Sequence, residues 1–367
     1  MGALYIHIPF CQKKCFYCSF VVAIGQDHRI DSYLDCLEWE AERYRGISVK
    51  TVYLGGGTPT YLKAQQLKKL FMMLRQKFYF TKDCEVTIEA NPEGLELDKI
   101  KLLNDLGVNR ISLGIQTLNN QYLKYLGRCH DSSRALTAFR DLRKAGFLNI
   151  NVDLMYAFAG QTDEEIAQDV VGITALKSEH LSLYTLTIEE NSRFYTKKIK
   201  LAATQDQARQ YELVTHLLAQ TEFKQYEISN FAKDHRESLH NLNYWQGGNY
   251  LGLGVGAHSH QEGMRFWNVL RISDYMSRIK NHQSSTEGQE RLSTRQRFME
   301  ILLFGLRMNQ GVKVSEIEQK LTEKLKSEVK EKINEFIRAG FLSRENDCLK
   351  ATDKGRLVLD EISVQLI

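Results

Sequence analysis

Three cysteines within eight residues, Cys11, Cys15 and Cys18 in the stretch LYIHIPFCQKKCFYCSF (Leu4–Phe20), set the chemistry to be explained. Packing does not call for thiols so closely spaced. Thiolates are the usual ligands of iron–sulfur clusters, which normally take four of them. Here the spacing is C-x3-C-x2-C, and the residue where a fourth would fall, two after Cys18, is Phe20. A four-iron cube held by three cysteines leaves one iron open, as a catalytic metal site keeps a position for substrate. Two other uses of the thiols compete. Structural zinc takes C-x2-C with a second pair, and no second pair occurs in the chain. A redox pair of Cys15 and Cys18 leaves Cys11 without a role and lacks that motif's usual setting. The [4Fe–4S] cluster is therefore the leading expectation.

Composition sets the frame for that loop. A chain of 367 residues has room for two or three domains, and 43% hydrophobic with 26% charged residues is ordinary for a globular protein. The net charge of +4 is too small to argue for nucleic acid or an acidic membrane surface. The other cysteines, Cys36, Cys84, Cys129 and Cys348, are scattered and bring the total to an odd seven, which suits a reducing cytosol. No signal-peptide pattern precedes the Cys motif, and no apolar run approaches a bilayer-spanning length. The expected location is cytoplasmic, or an organelle with its presequence unseen or removed.

Something must position the Cys loop, and the first half of the chain alternates short apolar runs with helical patterns. The strands expected are Leu4–Ile8, Thr51–Leu54, Glu85–Glu89, Arg110–Ile115, Ile150–Met155 and Leu181–Ile188. Helices are expected at about Asp27–Arg45, over Leu67–Phe78, and at Asp98–Leu106, Ser133–Ala145 and Glu164–Leu176. Six βα units of about thirty residues read as a parallel sheet with helical crossovers. An open doubly wound sheet and a barrel or part-barrel both fit. In both, ligands gather at the carboxyl ends of the strands. That rim collects the Cys loop, Gly55-Gly56-Gly57-Thr58-Pro59, Glu89-Ala90-Asn91-Pro92, Gln116 and Asp153. The glycine run is neither a P-loop nor a dinucleotide fingerprint. On its own it is a strand-to-helix turn; beside the Cys loop it is a place where backbone amides could approach a small polar ligand.

C-x3-C-x2-C after the first strand and GGGTP after the second resemble the radical S-adenosylmethionine (SAM) enzymes. The resemblance implies a partial (β/α)6 barrel, an α/β fold, with the open iron chelated by the amine and carboxylate of SAM. In that superfamily an electron from the cluster breaks a carbon–sulfur bond and releases a 5′-deoxyadenosyl radical. YIHIPFC, GGGTPT, TIEANP, RISLGIQTLN and NVDLMYAFAGQT follow the coproporphyrinogen dehydrogenase-like group in order and spacing along nearly the whole chain. By position, Tyr5, Tyr17, Gly56, Gly57, Thr58, Glu89, Gln116, Arg128 and Asp153 are then expected to line SAM-binding surfaces. Acids and amides suit the amine and ribose hydroxyls, and an arginine suits the carboxylate.

Coproporphyrinogen dehydrogenases carry an arm before the Cys loop and a fourth cysteine. Here Cys11 follows ten residues and the fourth position is Phe20, which points to the heme-trafficking HemW family. His240-Asn241-Leu242-Asn243-Tyr244-Trp245 matches that family's HNxxYW heme-binding motif. A histidine beside Tyr and Trp is more often a packing residue; the motif and its place after the barrel make His240 the expected axial ligand. His258 and His260, in and just after YLGLGVGAHS, are weaker rivals. Where related sequences read Gly-Leu-Pro, this chain has Ala157-Phe158-Ala159.

From about Thr294 the pattern turns helical, with Phe298, Ile301, Leu302 and Leu306 on one helix, Val314–Leu321 a second and Val329–Ile337 a third. Phe341–Ser343 and Cys348–Lys350 could pair as a wing, with Lys354–Glu361 helical again. The expected domains are a part-barrel over 1–228, a connecting segment with the heme motif over 229–290, and a winged-helix-like domain over 291–367. That last stretch has fifteen Lys and Arg against twelve Asp and Glu, which lacks the basic footprint of a nucleic-acid face. The leading expectation is a heme chaperone that binds a [4Fe–4S] cluster, SAM and heme and passes heme to recipient heme proteins, respiratory ones among the candidates. An electron donor of the flavodoxin type is expected; homodimer formation and peripheral membrane association stay open. The rivals are oxygen-independent coproporphyrinogen III dehydrogenase and a winged-helix regulator with a redox-sensing cluster.

Overall fold

The computed structural model describes residues 2–315 and 323–366. Strand β1 (Ala3–Ile8) leads into the Cys loop, whose two ends are pinned together by the short parallel pair β2 (Phe10–Cys11) and β3 (Ala23–Ile24). Helix α1 (Ile30–Glu42) follows, then β4 (Ser48–Gly56), α2 (Ala64–Lys77), β5 (Tyr79–Ala90), α3 (Leu97–Asp105) and β6 (Arg110–Gln116). The series continues with α4 (Asn120–Leu126), α5 (Ser132–Lys144), β7 (Ile150–Tyr156), α6 (Asp163–Thr174) and β8 (His180–Thr185). The six strands β1, β4, β5, β6, β7 and β8 are neighbours in that order, and every pair is parallel.

The strand sequences explain the layering. In Glu85–Ala90, Arg110–Gln116, Ile150–Tyr156 and His180–Thr185, apolar and polar residues alternate with the period of a pleated strand. Val86, Ile88, Ile111, Leu113, Val152, Leu154, Leu181 and Leu183 join the main core with the helices. Alternating with them, Thr87, Glu89, Arg110, Ser112, Asn151, Asp153, His180 and Ser182 make up the opposite, inner face. Parallel strands buried on both faces usually read as continuous apolar runs. These do not, because the inner face is polar. Helix α1 shows the outer layer: Ile30, Tyr33, Leu34, Leu37 and Ala41 are buried at helical spacing.

After α7 (Arg193–Thr196) and α8 (Thr204–Ala219), β9 (Lys224–Glu227) and β10 (Asn230–Ala232) extend the sheet beyond β8 in antiparallel fashion. Helix α9 (Leu239–Trp245) precedes β11 (Tyr250–Leu253), which pairs parallel to β1. Strands β12 (His258–Gln261), β13 (Met264–Asn268) and, after α10 (Ile272–Lys280), β14 (Thr286–Arg291) complete a twelve-stranded sheet. Residues 229–290, expected to be a connector, thus supply strands at both edges of the part-barrel. Their alternation is short and interrupted by glycines, so no six-residue pattern announces them.

The C-terminal part begins with α11 (Thr294–Arg307), whose Phe298, Leu302 and Leu306 enter a separate core. A three-stranded sheet of Val312–Lys313, Cys348–Ala351 and Leu342–Glu345 includes the expected wing, with Asn346 in the left-handed region at its tip. A helix over Glu323–Arg338 covers the third expected helix. The second, Val314–Leu321, lies mostly outside the described residues. Helical residues at Asp353–Arg356 and Leu359–Leu366 end the chain. Among the described residues no helix is long and apolar enough to cross a membrane.

Candidate functional site

At the carboxyl ends of the strands the three cysteines are free, Cys11 buried and Cys15 and Cys18 half-buried. Thr58 Oγ1 lies 3.0 Å from Cys11 Sγ, and Asn91 Nδ2 donates to the same hydroxyl at 2.9 Å. Arg128 donates from Nη2 to Asn91 Oδ1 at 2.7 Å and from Nη1 to Cys15 Sγ at 3.3 Å. A continuous chain therefore runs Cys11–Thr58–Asn91–Arg128–Cys15, linking two cysteines through the ends of β4 and β5 and the turn after α4. Asn91 stands in the EANP motif and carries this link, a role its sequence position did not reveal. Among the described residues no three His, Cys, Asp or Glu side chains converge on a single-ion position. A cluster does not require convergence, since each cysteine binds its own iron. Burial pushes the Cys11 thiol up to about 12, so the metal-free thiol keeps its proton near neutral pH.

The glycines hold this arrangement at close quarters. A Cβ at Gly57 would meet the backbone of Pro9 and Phe10 at 2.7–2.8 Å, and one at Gly127 would meet the Phe16 ring at 2.8 Å. Gly127 also has φ +76° as the C-cap of α4, which sets Arg128 against the Cys loop. The amides expected to face a ligand are engaged within the protein. Gly56 N donates to Glu89, Gly57 N to Ile8 O and Thr58 N to Phe10 O. The glycine run is thus first of all a tight seat for the Cys loop.

Below the rim lie the two expected acids. Glu89 accepts from Tyr53 OH at 2.9 Å and from Gly56 N at 3.1 Å. Burial, helped by the neighbouring Asp153, raises its carboxyl to about 7, against the pull of those hydrogen bonds. Burial likewise raises Asp153, which accepts from Asn151 at 2.7 Å and Ser112 at 3.2 Å. Neither acid has a salt-bridge partner among the described residues. Two buried acids held this way suit a cationic group. Arg128 Nε is buried without a partner and suits an anionic one. Gln116 closes β6 at φ +71°, an uncommon conformation for a residue with a side chain. Tyr17 packs against the cluster of Leu126, Met155, Phe158, Leu186 and Phe194, and burial raises its hydroxyl. Tyr5 stands deeper, its hydroxyl 3.0 Å from His7 Nδ1 and its ring stacked 6.3 Å from Tyr53.

His240 is elsewhere. Helix α9 sits at the opposite, amino end of the strands, where Thr51 pairs with Ala3 and Glu85. His240 Nδ1 lies 2.8 Å from Thr51 Oγ1 and Nε2 3.0 Å from Tyr244 OH, while the ring stacks 5.1 Å from Tyr53. The side chain is 1% exposed, and burial together with the charge of Arg110 lowers it to about 3, so the imidazole is neutral. Tyr53 lies between the two expected centres, its hydroxyl on Glu89 and its ring on His240. Of the rivals, His258 is exposed and stacks on Trp267, and His260 is bonded to Gly248 O and Gly263 N. Phe20, at the fourth-cysteine position, is 62% exposed on the Cys loop.

Known proteins share this layout. The model for the radical SAM superfamily matches residues 5–170, and that for the HemN C-terminal domain matches 292–358. The chain is 36% identical to the heme chaperone HemW of Lactococcus lactis subsp. lactis, covering 96% of this chain and 94% of that one. It is 34% identical to the heme chaperone HemW of Bacillus subtilis, covering 99% and 98%. The solved structure of coproporphyrinogen III oxidase (HemN) from Escherichia coli, a radical SAM enzyme, superposes with a TM-score of 0.88 at 26% identity, covering 100% of this chain and 89% of that one. With the Cys loop, its glycine seat and the six parallel strands in place, full-length identity above 30% to these relatives decides the matter: the chain belongs to the HemW family of the radical SAM superfamily.

Proposed function

We propose that the protein is a heme chaperone, which binds heme as cargo and hands it to recipient heme proteins. The observation that carries this reading is the full-length likeness to proteins named heme chaperone HemW. Cys11, Cys15 and Cys18 hold a [4Fe–4S] cluster, with Arg128 and Thr58 against the sulfurs. Tyr5, Tyr17, Gly56, Gly57, Thr58, Glu89, Gln116, Arg128 and Asp153 surround SAM. When bound, this pair supplies one-electron chemistry at the SAM sulfonium. The chain's own residues would orient the ligand: Glu89 and Asp153 would offer negative charge to its cationic groups, and Arg128 would take its carboxylate. His240 is the axial ligand for heme iron. A flavodoxin-type electron donor and a cytoplasmic setting complete the proposal.

Heme titration of the anaerobically reconstituted protein tests it. The parent should give a shifted Soret band, and His240→Ala should lose most of it, with affinity down by about tenfold or more. Parent-like heme binding by His240→Ala would remove His240 from the scheme. Conversion of coproporphyrinogen III under reducing conditions would instead favour the oxidase reading, which the 0.88 superposition on HemN keeps in view.

A second expectation concerns pH. Glu89 carries a raised pKa of about 7, and a cationic ligand binds its ionised form. Protons therefore compete with SAM. Affinity should be level above about pH 8 and fall towards tenfold per unit well below pH 7. Equilibrium binding between pH 5.5 and 8.5 measures this, and Glu89→Gln should flatten the dependence. An equally steep fall in that variant would assign the proton elsewhere.

A further inference from the structure

Iron ligation needs a free lone pair on an imidazole nitrogen and room for the porphyrin plane around it. His240 offers neither where it stands. Both ring nitrogens are engaged, by Thr51 and Tyr244. One ring face lies on Tyr53, and the side chain is 1% exposed. A macrocycle could approach Nδ1 only through β4 and Nε2 only through Tyr244, which lies on α9 with His240, so undocking of the helix frees Nδ1. This inference rests on the assignment of His240 as heme ligand made above.

We propose that α9 is a latch: it closes the amino end of the barrel in the heme-free protein, and His240 reaches heme iron only when α9 comes off. The latch has an inner and an outer clasp. On the inner side, Leu239 N and His240 N donate to the carboxylate of Glu85 at 3.2 and 3.0 Å, and Thr51 holds the ring. On the outer side, Trp245 packs edge-on to Phe304 of α11 at 6.0 Å, with the Arg307 guanidinium 4.6 Å over its ring. Arg307 is itself fixed by Glu227 at 2.9 Å and Ser229 at 3.2 Å. Helix α9 is gripped between the barrel and the C-terminal domain.

The helix is built to depend on those grips. At seven residues it is too short to persist unaided, since helices below about 12 residues are marginal in water. Its own reinforcements are the Ser238 cap, which accepts from Asn241 N at 3.3 Å, and the His240–Tyr244 side-chain bond one turn apart. Gly247, at φ +65°, and Gly248 follow the C-cap Gln246, so the chain can turn out just past the helix. The C-terminal domain acquires a role from this geometry: a partner that shifts α11 loosens the outer clasp and exposes the heme ligand.

The test uses full-length reconstituted protein and hemin, followed by the Soret band. Thr51→Val with Phe304→Ala removes one contact from each clasp without touching α9, leaving Glu85 and Arg307 in place. The open fraction rises, so the apparent association rate and affinity should each increase about tenfold, with the band position unchanged. A merely structural role predicts the reverse, weaker binding with lower melting temperature. Conversely, Gly2→Cys with Asn243→Cys staples α9 to the start of β1; a Cβ at Gly2 falls 2.9 Å from Asn243 Oδ1. Oxidised, this variant should bind hemin at least tenfold more slowly and recover with dithiothreitol. The single variants, oxidised alike, control for the native thiols. Parent-like binding by the stapled protein, or no gain in the unclasped one, overturns the latch. Should His240→Ala keep the parent's Soret band, the ligand assignment fails; should it lose the band while the clasp variants change nothing, only the latch fails.

Discussion

Glu40→Ala should lower the stability of the protein by roughly 4 kcal/mol, because four buried donors lose their acceptor at once. Glu40 is 2% exposed on α1 and accepts from Gly254 N at 2.8 Å and from Asn268 Nδ2, Tyr275 OH and Ser285 Oγ, each at 2.7 Å. Two donors meet each carboxylate oxygen, and all four come from beyond residue 250. The side chain is the polar rivet between the βα half and the strands that extend it past β1. Water cannot easily replace it in a site walled by Tyr33 and Tyr275. The apparent melting temperature should fall by about 8 °C or more. Glu40→Gln should recover only part of the loss, since one amide nitrogen would point at donors rather than accept from them. Thermal melts of the parent and both variants decide this, and a shift under about 2 °C for the alanine variant would show that the rivet is dispensable.

Gly56→Ala should abolish cluster assembly while leaving most of the fold. Gly56 has φ +109°, where side chains are strained, and an added Cβ would meet the His7 ring at 2.5 Å. That ring cannot swing away freely: it is held by Tyr5 OH at 3.0 Å and Val21 O at 2.9 Å, on either side of the Cys loop. Strain and overpacking together cost about 2–5 kcal/mol, and the cheapest relief is to part the glycine turn from the Cys loop. Thr58 would then leave Cys11, and Gly56 N would leave Glu89. After reconstitution, iron content and the cluster's visible absorption should drop at least about tenfold, with far-ultraviolet circular dichroism close to the parent's. Normal iron loading would show that the turn tolerates a methyl group.

Much of the barrel follows from local pattern. The six strands and their helices were legible because each strand alternates with period two and each helix repeats its apolar face. The same alternation held information that apolar counting overlooks. The polar residues in RIS, NVD and HLS line the inner face, and the network from Asp153 through Asn151 and His180 to Tyr226 follows from them. The Cys loop and GGGTP were legible as motifs, but their physical relation was not. Spacing cannot show that glycine amides are taken up by the protein itself, nor that Asn91 bridges Thr58 to Arg128. Strands β9 to β14 escaped notice because they are short, and because two of their pairings are remote in sequence: β11 lies on β1, and β10 on β8.

What the sequence by itself determined is the chemistry available: three thiols with an open fourth position, two acids on strands, an arginine in Leu126-Gly127-Arg128, and a histidine in HNLNYW. Those are properties of residue type and short spacing, and they survive any arrangement of the chain. Only the tertiary structure decided distance and access. It gathered the thiols, Asn91 and Arg128 at one end of the strands and set His240 at the other, with Tyr53 between them. It also took both ring nitrogens of His240 into hydrogen bonds, because α9 packs where β4 and β5 begin. Burial is a long-range property, and whether a ligand residue is open or closed is written in the contacts of its neighbours.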